Sequence, residues 1–452
     1  MSSWNSLLAI LCLAGAASAQ TLSLPQAIEK ALHNYPAIKV SQEQINASSA
    51  AIQLARTAYL PRIDALAQAN RATRNNVFGL LLPQSVIPSM SGPVIGSNNL
   101  GSVWGSALGG LVTWEPFDFG LRDAGVAAAT AAKARQQAAA KKTEFEIAAA
   151  TADAYLTLIA AQETVKAAQA GVDRAEVVTK TIGAQVNAQL RPGADQSRAE
   201  AELAAARSQL IQAQQAVEIS AATLTQFTGA ESPAVTPGAL LQLPPEEAPA
   251  SLNPTANPSI AEQNAVIEQA QAQLRTLERS WFPRFYLQGA AYARGTGAGV
   301  NGQRLGGLNG LGPNVQDYAV GLTVTFPIMD IAALRAKEAA QSATIRGQAA
   351  RAEQIAVDLK AQWNRAVATV RGARRIAANT ATEVRAAHAA VDQATARYQA
   401  GLGTIDDLAE AQRLFTQAEI DDVLARLGIW RGLLGIAAAA GDLQPFIAES
   451  SR

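Results

Sequence analysis

The sequence predicts a mainly α-helical chain with a transmembrane β part, built as two copies of a unit whose largest piece is a long helical hairpin. Three observations lead there: an alanine-rich composition poor in aromatics, two proline-free stretches far longer than an ordinary helix, and motifs that recur in the same order in both halves.

Of the 452 residues, 49% are apolar and only 5% aromatic, with alanine prominent among the apolar types. Alanine is the best helix former and lets helices approach closely, so tightly packed long helices are expected rather than one large aliphatic core. The 37 basic and 37 acidic residues are interspersed and give a formal net charge of +0. That mixture lacks the basic stripe needed to neutralise phosphates, so nucleic acid is not an expected partner.

Residues 1–19 read as a signal peptide, with an apolar run at 7–13 and the small-x-small sequence Ala17-Ser18-Ala19 before a mature start near Gln20. The stretch 1–6 has no Lys or Arg, unlike the usual positive n-region, so the true translation start stays open. Cys12, the one cysteine, follows Leu11, which is larger than the residue that normally precedes a lipidated cysteine. Further on, the best apolar run, 427–440, is short and interrupted by Arg431. A membrane crossing is therefore expected from strands rather than helices.

The duplication is carried by pairs of short motifs. Asn34-Tyr-Pro-Ala-Ile38 is echoed by Ala256-Asn-Pro-Ser-Ile260, Tyr59-Leu-Pro-Arg62 by Trp281-Phe-Pro-Arg284, and Leu111-Val-Thr-Trp-Glu-Pro116 by Leu322-Thr-Val-Thr-Phe-Pro327. The expected layout is a first repeat over 20–230, a Pro/Ala/Glu-rich irregular linker over 231–257, a second repeat over 258–441 and a tail over 442–452.

Each repeat opens with a helix, 37–59 or 260–281, which the aromatic-Pro-Arg sequence ends by favouring an extended residue. A β-hairpin follows, 62–115 or 284–327, with strands of about ten residues joined by Gly/Asn/Ser-rich loops at 73–99 and 295–314. In the second copy Tyr318, Val320, Leu322, Val324 and Phe326 alternate with small or polar residues, the pattern of a strand with one lipid-like face. The helical hairpins occupy 119–228 and 331–440. The first outgoing arm, roughly 65 to 70 residues, would span about 100 Å. Arms so long and alanine-rich need other arms to pack against, as in coiled coils.

Two strands per copy give four per chain, and four cannot close in lipid. The barrel must be shared among chains. Two chains would give eight strands filled by their own side chains, and three would give twelve with a lumen.

These parts resemble the outer-membrane efflux proteins of the TolC type over nearly the whole mature chain. The resemblance lies in the duplicated order of elements and in the second turn, where Tyr398-Gln-Ala-Gly-Leu-Gly-Thr-Ile-Asp-Asp-Leu-Ala-Glu-Ala-Gln412 is similar to the family's Tyr-x-x-Gly-x-x-[Ser/Thr]-x-x-Asp-x-x-x-Ala-Gln pattern. Arg191-Pro-Gly-Ala-Asp195 resembles its first-repeat counterpart. The resemblance implies a homotrimer with a shared 12-stranded β-barrel over a trimeric helical tunnel, acting as a passive exit duct in a tripartite efflux or type I secretion system. Its partners would be outer-membrane lipid, a periplasmic adaptor and an inner-membrane pump.

It also implies that Asp407, Glu410, Tyr398 and Asp195 narrow a periplasmic aperture, while Arg191, Pro192, Gly193 and Ala194 with Gly401, Leu402, Gly403 and Thr404 form adaptor-docking turns. The acids also suit the first turn of a helix, where the dipole favours negative charge. Gly403 stands where some members carry arginine, which removes a salt-bridge latch from that position.

No enzyme is expected. His33 and His388 are the only histidines and lack ligand spacing for a metal, no cofactor motif occurs, and the Gly-rich stretch 295–302 lacks the Gly-Lys-Ser/Thr of a phosphate loop. A trimeric coiled-coil adhesin is the competing architecture, against which the duplication argues. The cargo and the class of pump are not written in this chain.

Overall fold

The computed structural model describes residues 21–73, 101–231, 233–245, 252–299 and 303–451. The expected signal peptide, nearly all of the 73–99 loop and the middle of the second loop lie outside them. The described elements run α1 (Leu24–Asn34), α2 (Pro36–Thr57), β1 (Arg62–Thr73), β2 (Ser102–Phe117), α3 (Leu121–Asn187), α4 (Gly193–Thr228), α5 (Pro258–Arg279), β3 (Arg284–Thr296), β4 (Val315–Thr325), α6 (Ile331–Gln399), α7 (Ile405–Ala440) and α8 (Gln444–Ser450). The helical arms α3 and α6 are single helices of 67 and 69 residues.

Local chemistry sets the breaks. Tyr35, held extended at φ −68° and ψ 125° before Pro36, separates α2, expected over 37–59, from α1, a helix not expected from the sequence. Strands β1 and β3 start immediately after Pro61 and Pro283. Between β2 and α3, Asp118 accepts from the Gly120 and Arg122 backbone amides at 3.1 and 2.7 Å, satisfying amides left open at the helix start.

The chain folds into two compact units, each drawing on both repeats. One takes residues 45–135 and 265–349, the other 1–44, 136–264 and 350–452.

The first unit holds an antiparallel sheet in the order β1-β2-β3-β4. Its register places Arg62 opposite Thr113, Leu111 opposite Ala290, and Arg284 opposite Thr325. One face is the more polar, with Asp64, Gln68, Gly105, Gln288, Gly321 and Thr323, although Leu66, Val103, Leu111, Tyr286 and Tyr292 stand on it too. The other collects Ile63, Leu108, Leu287, Tyr318, Val320 and Leu322. That second face is exposed, with Ile63 at 71%, Val320 at 77% and Tyr318 at 86%, so apolar side chains stand outward as in a membrane strand. Among the described residues β1 and β4 each pair on one side only.

The second unit has an aliphatic and aromatic core. Tyr155, Leu156, Leu158 and Ile159 of α3 pack with Trp430 and Leu434 of α7 and with Phe446 of α8, a helix inside what was expected to be only a tail. The described parts of the linker expected to be irregular contain 3₁₀ turns at Gly238–Leu241 and Pro254–Ala256. Trp430 Nε1 donates to the Gln242 carbonyl at 3.0 Å, and Arg374 Nη2 donates to that of Pro245 at 2.6 Å. Asn257 Nδ2 caps α7 by donating to the Ala438 and Ala439 carbonyls, both at 3.1 Å. Helix α7 is the one described helix long and apolar enough to cross a membrane, since it extends well beyond the short apolar run 427–440. Its Leu427, Ile429, Trp430 and Leu434 are buried, and Arg431 pairs with Asp153, so its apolarity belongs to the core.

The buried Tyr155 hydroxyl lies 2.8 Å from the Leu22 carbonyl and 2.7 Å from that of Thr236, and burial pushes its pKa up to about 12. It joins the bridge between Leu22 and Val235 to α3. The Leu22 carbonyl also accepts from the Thr236 amide at 3.2 Å, so Tyr155→Phe removes the hydroxyl's single proton chiefly from the Thr236 carbonyl, a loss of about 1–3 kcal/mol. We expect the Leu22 and Thr236 amides to exchange faster by on the order of tenfold, read by hydrogen–deuterium exchange; unchanged protection would show that the hydroxyl holds nothing there.

Candidate functional site at the helical turns

Both helical hairpins turn in the same way. At the end of α3, Gln189 adopts φ +61° and the Leu190 amide donates back to the Gln185 carbonyl at 2.9 Å. At the end of α6, Gly401 adopts φ +74° and the Leu402 amide donates to Arg397 at 2.8 Å. Each is a left-handed cap closed by a six-to-one hydrogen bond. Each leaves a leucine outside, Leu190 at 75% exposure and Leu402 at 73%. The next helices start differently. Pro192 precedes Gly193 and Ala194 at the start of α4 with extended backbone, whereas Thr404 caps α7 through its side chain.

Between the turns lies a small cluster of Ile182, Ala199, Tyr398, Ile405 and Leu408. Tyr398, only 3% exposed, is its centre. The Arg191 guanidinium sits 4.4 Å from its ring centroid and donates to its carbonyl at 2.6 Å. The Tyr398 hydroxyl donates to Asp195 Oδ2 at 3.2 Å. Burial, and then the Asp195 charge, raise the Tyr398 pKa above the ordinary tyrosine value. This clasp joins the end of α6 to the start of α4, and the Arg198–Asp406 ion pair at 2.9 Å adds a link from α4 to α7.

Asp407 and Glu410 stand outside the clasp on exposed α7 surface. Asp407 closes a capping box: its Oδ2 accepts from the Thr404 amide at 3.0 Å, and its own amide donates to Thr404 Oγ1 at 3.2 Å. The Thr404 hydrogen bonds hold its pKa below the usual carboxylate value. Glu410 is bound by Arg413 Nη2 and Nε at 2.6 and 2.9 Å, which lowers its pKa too. So Asp195, Tyr398 and Arg191 are brought together, whereas Asp407 and Glu410 are engaged locally. Gly403 lies against Arg397 Cβ and the Tyr398 amide, each 3.3 Å from where a Cβ would stand, so any larger residue would press on the clasp.

Two links were not singled out from sequence. Asp406 was passed over beside Asp407, although its ion pair reaches another helix. Farther along the arms, Arg174 of α3 donates to Thr416 Oγ1 at 2.8 Å and pairs with Glu419 of α7 at 2.9 Å, stacking on Phe415. Among the described residues no group of His, Cys, Asp and Glu is placed to hold a metal.

The family model for outer membrane efflux proteins matches residues 27–230 and 255–442. Curated protein sequences give no match. Solved structures do. The CmeC outer membrane channel of Campylobacter jejuni has a TM-score of 0.75 at 15% identity, over 95% of this chain and 89% of that one. The outer membrane protein VceC of Vibrio cholerae gives 0.71 at 18%, over 93% and 96%. The open state of the MtrE outer membrane channel of Neisseria gonorrhoeae gives 0.71 at 20%, over 93% and 89%. At these identities the likeness establishes the fold.

Tyr398→Phe removes the bond to Asp195 while keeping the ring under Arg191. A hydrogen bond to a charged group contributes about 1.5–3 kcal/mol. The Leu402 and Ala400 amides should then lose protection by at least tenfold, with the α8 amides unchanged. Because the tyrosine pKa is raised, this contribution is whole below the ordinary tyrosine value and is lost only as pH rises through the raised one. The same amides should therefore show no clasp-dependent change between pH 6 and pH 8; equal protection in wild type and Tyr398→Phe would contradict the clasp.

Proposed function

The chain belongs to the outer membrane efflux protein family, and from that premise we propose that three copies share one twelve-stranded barrel and present their helical turns to a periplasmic adaptor of an inner-membrane pump. The chain is an outer-membrane efflux channel with a periplasmic helical part, and it moves cargo without chemistry of its own. The observation that supports the shared barrel is the four-stranded sheet, with an exposed apolar face and two free edges. In lipid an unpaired backbone group costs several kcal/mol, so the edges need strands from other chains.

The turns suit docking because each ends in an exposed leucine on a rigid cap. Leu190 and Leu402 supply apolar contacts, while Arg191, Pro192, Gly193 and Ala194, with Gly401, Gly403 and Thr404, hold the backbone that presents them. Tyr398, Asp195, Asp407 and Glu410 form the aperture in this reading. Asp407 is the acid best suited to give it charge, since its capping hydrogen bonds favour the ionised form. Glu410 is partly offset by Arg413. Threefold repetition of such carboxylates around a narrow mouth attracts cations.

In planar bilayers the protein should conduct and prefer cations. Asp407→Ala with Glu410→Ala should reduce that preference several-fold, and Glu268→Ala should leave it intact. Since the Asp407 pKa is lowered, the preference should persist through the ordinary carboxylate range and fade only as pH drops through the lowered value. Retention of full cation preference in the double variant would place the constriction elsewhere. A cysteine at Ala194 should crosslink to the adaptor, whereas one at Gly299 should not; equal yields would reverse the orientation.

A further inference from the structure

The seam between the two repeats inside one chain is a template for the seam between chains. We propose that β4 of one copy pairs antiparallel with β1 of a second copy in one specific register, with Thr323 opposite Gln68 and Val320 opposite Arg71. This rests on the shared-barrel reading above and adds the register that joins the chains.

The template follows from the duplication. Tyr59-Leu-Pro-Arg62 and Trp281-Phe-Pro-Arg284 superpose β1 on β3. Arg62 pairs with Thr113 and Arg284 with Thr325, so β2 superposes on β4 with Thr113 in the place of Thr325, and the Pro116–Pro327 correspondence runs one residue out of step with this because β2 carries an extra residue at the irregularity between Trp114 and Phe117. The equivalence holds along the hairpins, since Ala72 opposite Val103 corresponds to Arg294 opposite Val315. The internal seam pairs β2 with β3, setting Leu111 opposite Ala290 and Leu108 opposite Ala293. Carried to the free edges, those pairs become Thr323 with Gln68 and Val320 with Arg71.

Two further observations agree. Thr323 and Gln68 both belong to the more polar face, and Val320 and Arg71 to the other, so the register continues both faces across the joint. A one-residue slip would turn Val320 and Leu322 of one chain toward the polar face of the next. Apolar side chains also wait at both edges. In the internal seam Phe117 packs against Phe285 with ring centroids 6.2 Å apart, and Phe119 stacks on Phe282 at 5.2 Å. The counterparts of Phe285 and Phe282 at the β1 edge are Ile63 and Leu60, exposed at 71% and 65%. Beyond β4, Phe326, Ile328 and Met329 are exposed at 63%, 71% and 91%. The joint between copies covers both sets, as the aromatic cluster does within the chain.

Cysteine pairs test the register in the full chain in outer membranes, with Cys12→Ala as background. Facing residues in an antiparallel pair have Cα atoms about 4.5–5.5 Å apart, within disulfide range, whereas diagonal neighbours lie at roughly 7–8 Å. Gln68→Cys with Thr323→Cys, and Arg71→Cys with Val320→Cys, should each form disulfides between chains under mild oxidation, in a ladder ending at three. Leu66→Cys with Thr323→Cys, and Asn70→Cys with Thr323→Cys, should link at least tenfold more slowly. Faster linking of either diagonal pair overturns the register while leaving the shared barrel standing. No linking in any pair, with the chains still associated, overturns the β4–β1 joint itself. Dissociated single chains would sink the shared-barrel reading beneath it.

Discussion

The rest of the molecule depends on one constraint: backbone amides and carbonyls cannot be left unpaired in hydrocarbon. Among the described residues, strands β1 and β4 each satisfy one side only, while Ile63, Tyr318, Val320 and Leu322 stand outward. A soluble hairpin would bury that face against a helix; here it is exposed. Apolar side chains thus commit the sheet to lipid, and lipid commits its edges to other strands.

The helices answer a different demand. Alanine-rich arms of 67 and 69 residues have little aliphatic surface to bury, and the second unit concentrates its large side chains around Tyr155 and Trp430. Val235 and Leu240 of the linker and Phe446 of the C-terminal helix pack into the same cluster. At the turns, where no large core exists, polar contacts take over: the Arg191–Tyr398–Asp195 clasp and the Arg198–Asp406 ion pair join helices that otherwise share a cluster of five buried residues. Contacts of this kind can open at modest cost.

Much of the fold was legible because its signals are local. Pro61 and Pro283 mark the starts of β1 and β3, Gly401 marks the end of α6, and the alternation around Val320 reports one exposed face. What was missed depends on partners distant in sequence. The 3₁₀ turns of the linker are held by Trp430 and Arg374, and α8 is held by its Phe446 against the core. The site was legible in part. Tyr398 and Asp195 were each legible as turn residues but their hydrogen bond to one another was not, whereas Asp407 is already engaged as the third residue after Thr404 in a capping box, a local pattern open to the sequence alone. The Arg174–Glu419 link, between residues 245 apart, left no local trace.

The central claim is that one chain's sheet is a third of a barrel. Native mass spectrometry of the mature, detergent-extracted protein tests it most directly, with circular dichroism confirming that the β signal survives. The account predicts a single species of three chains. A single-chain species retaining its β signal would contradict it, because four strands would then have found another way to satisfy their edges.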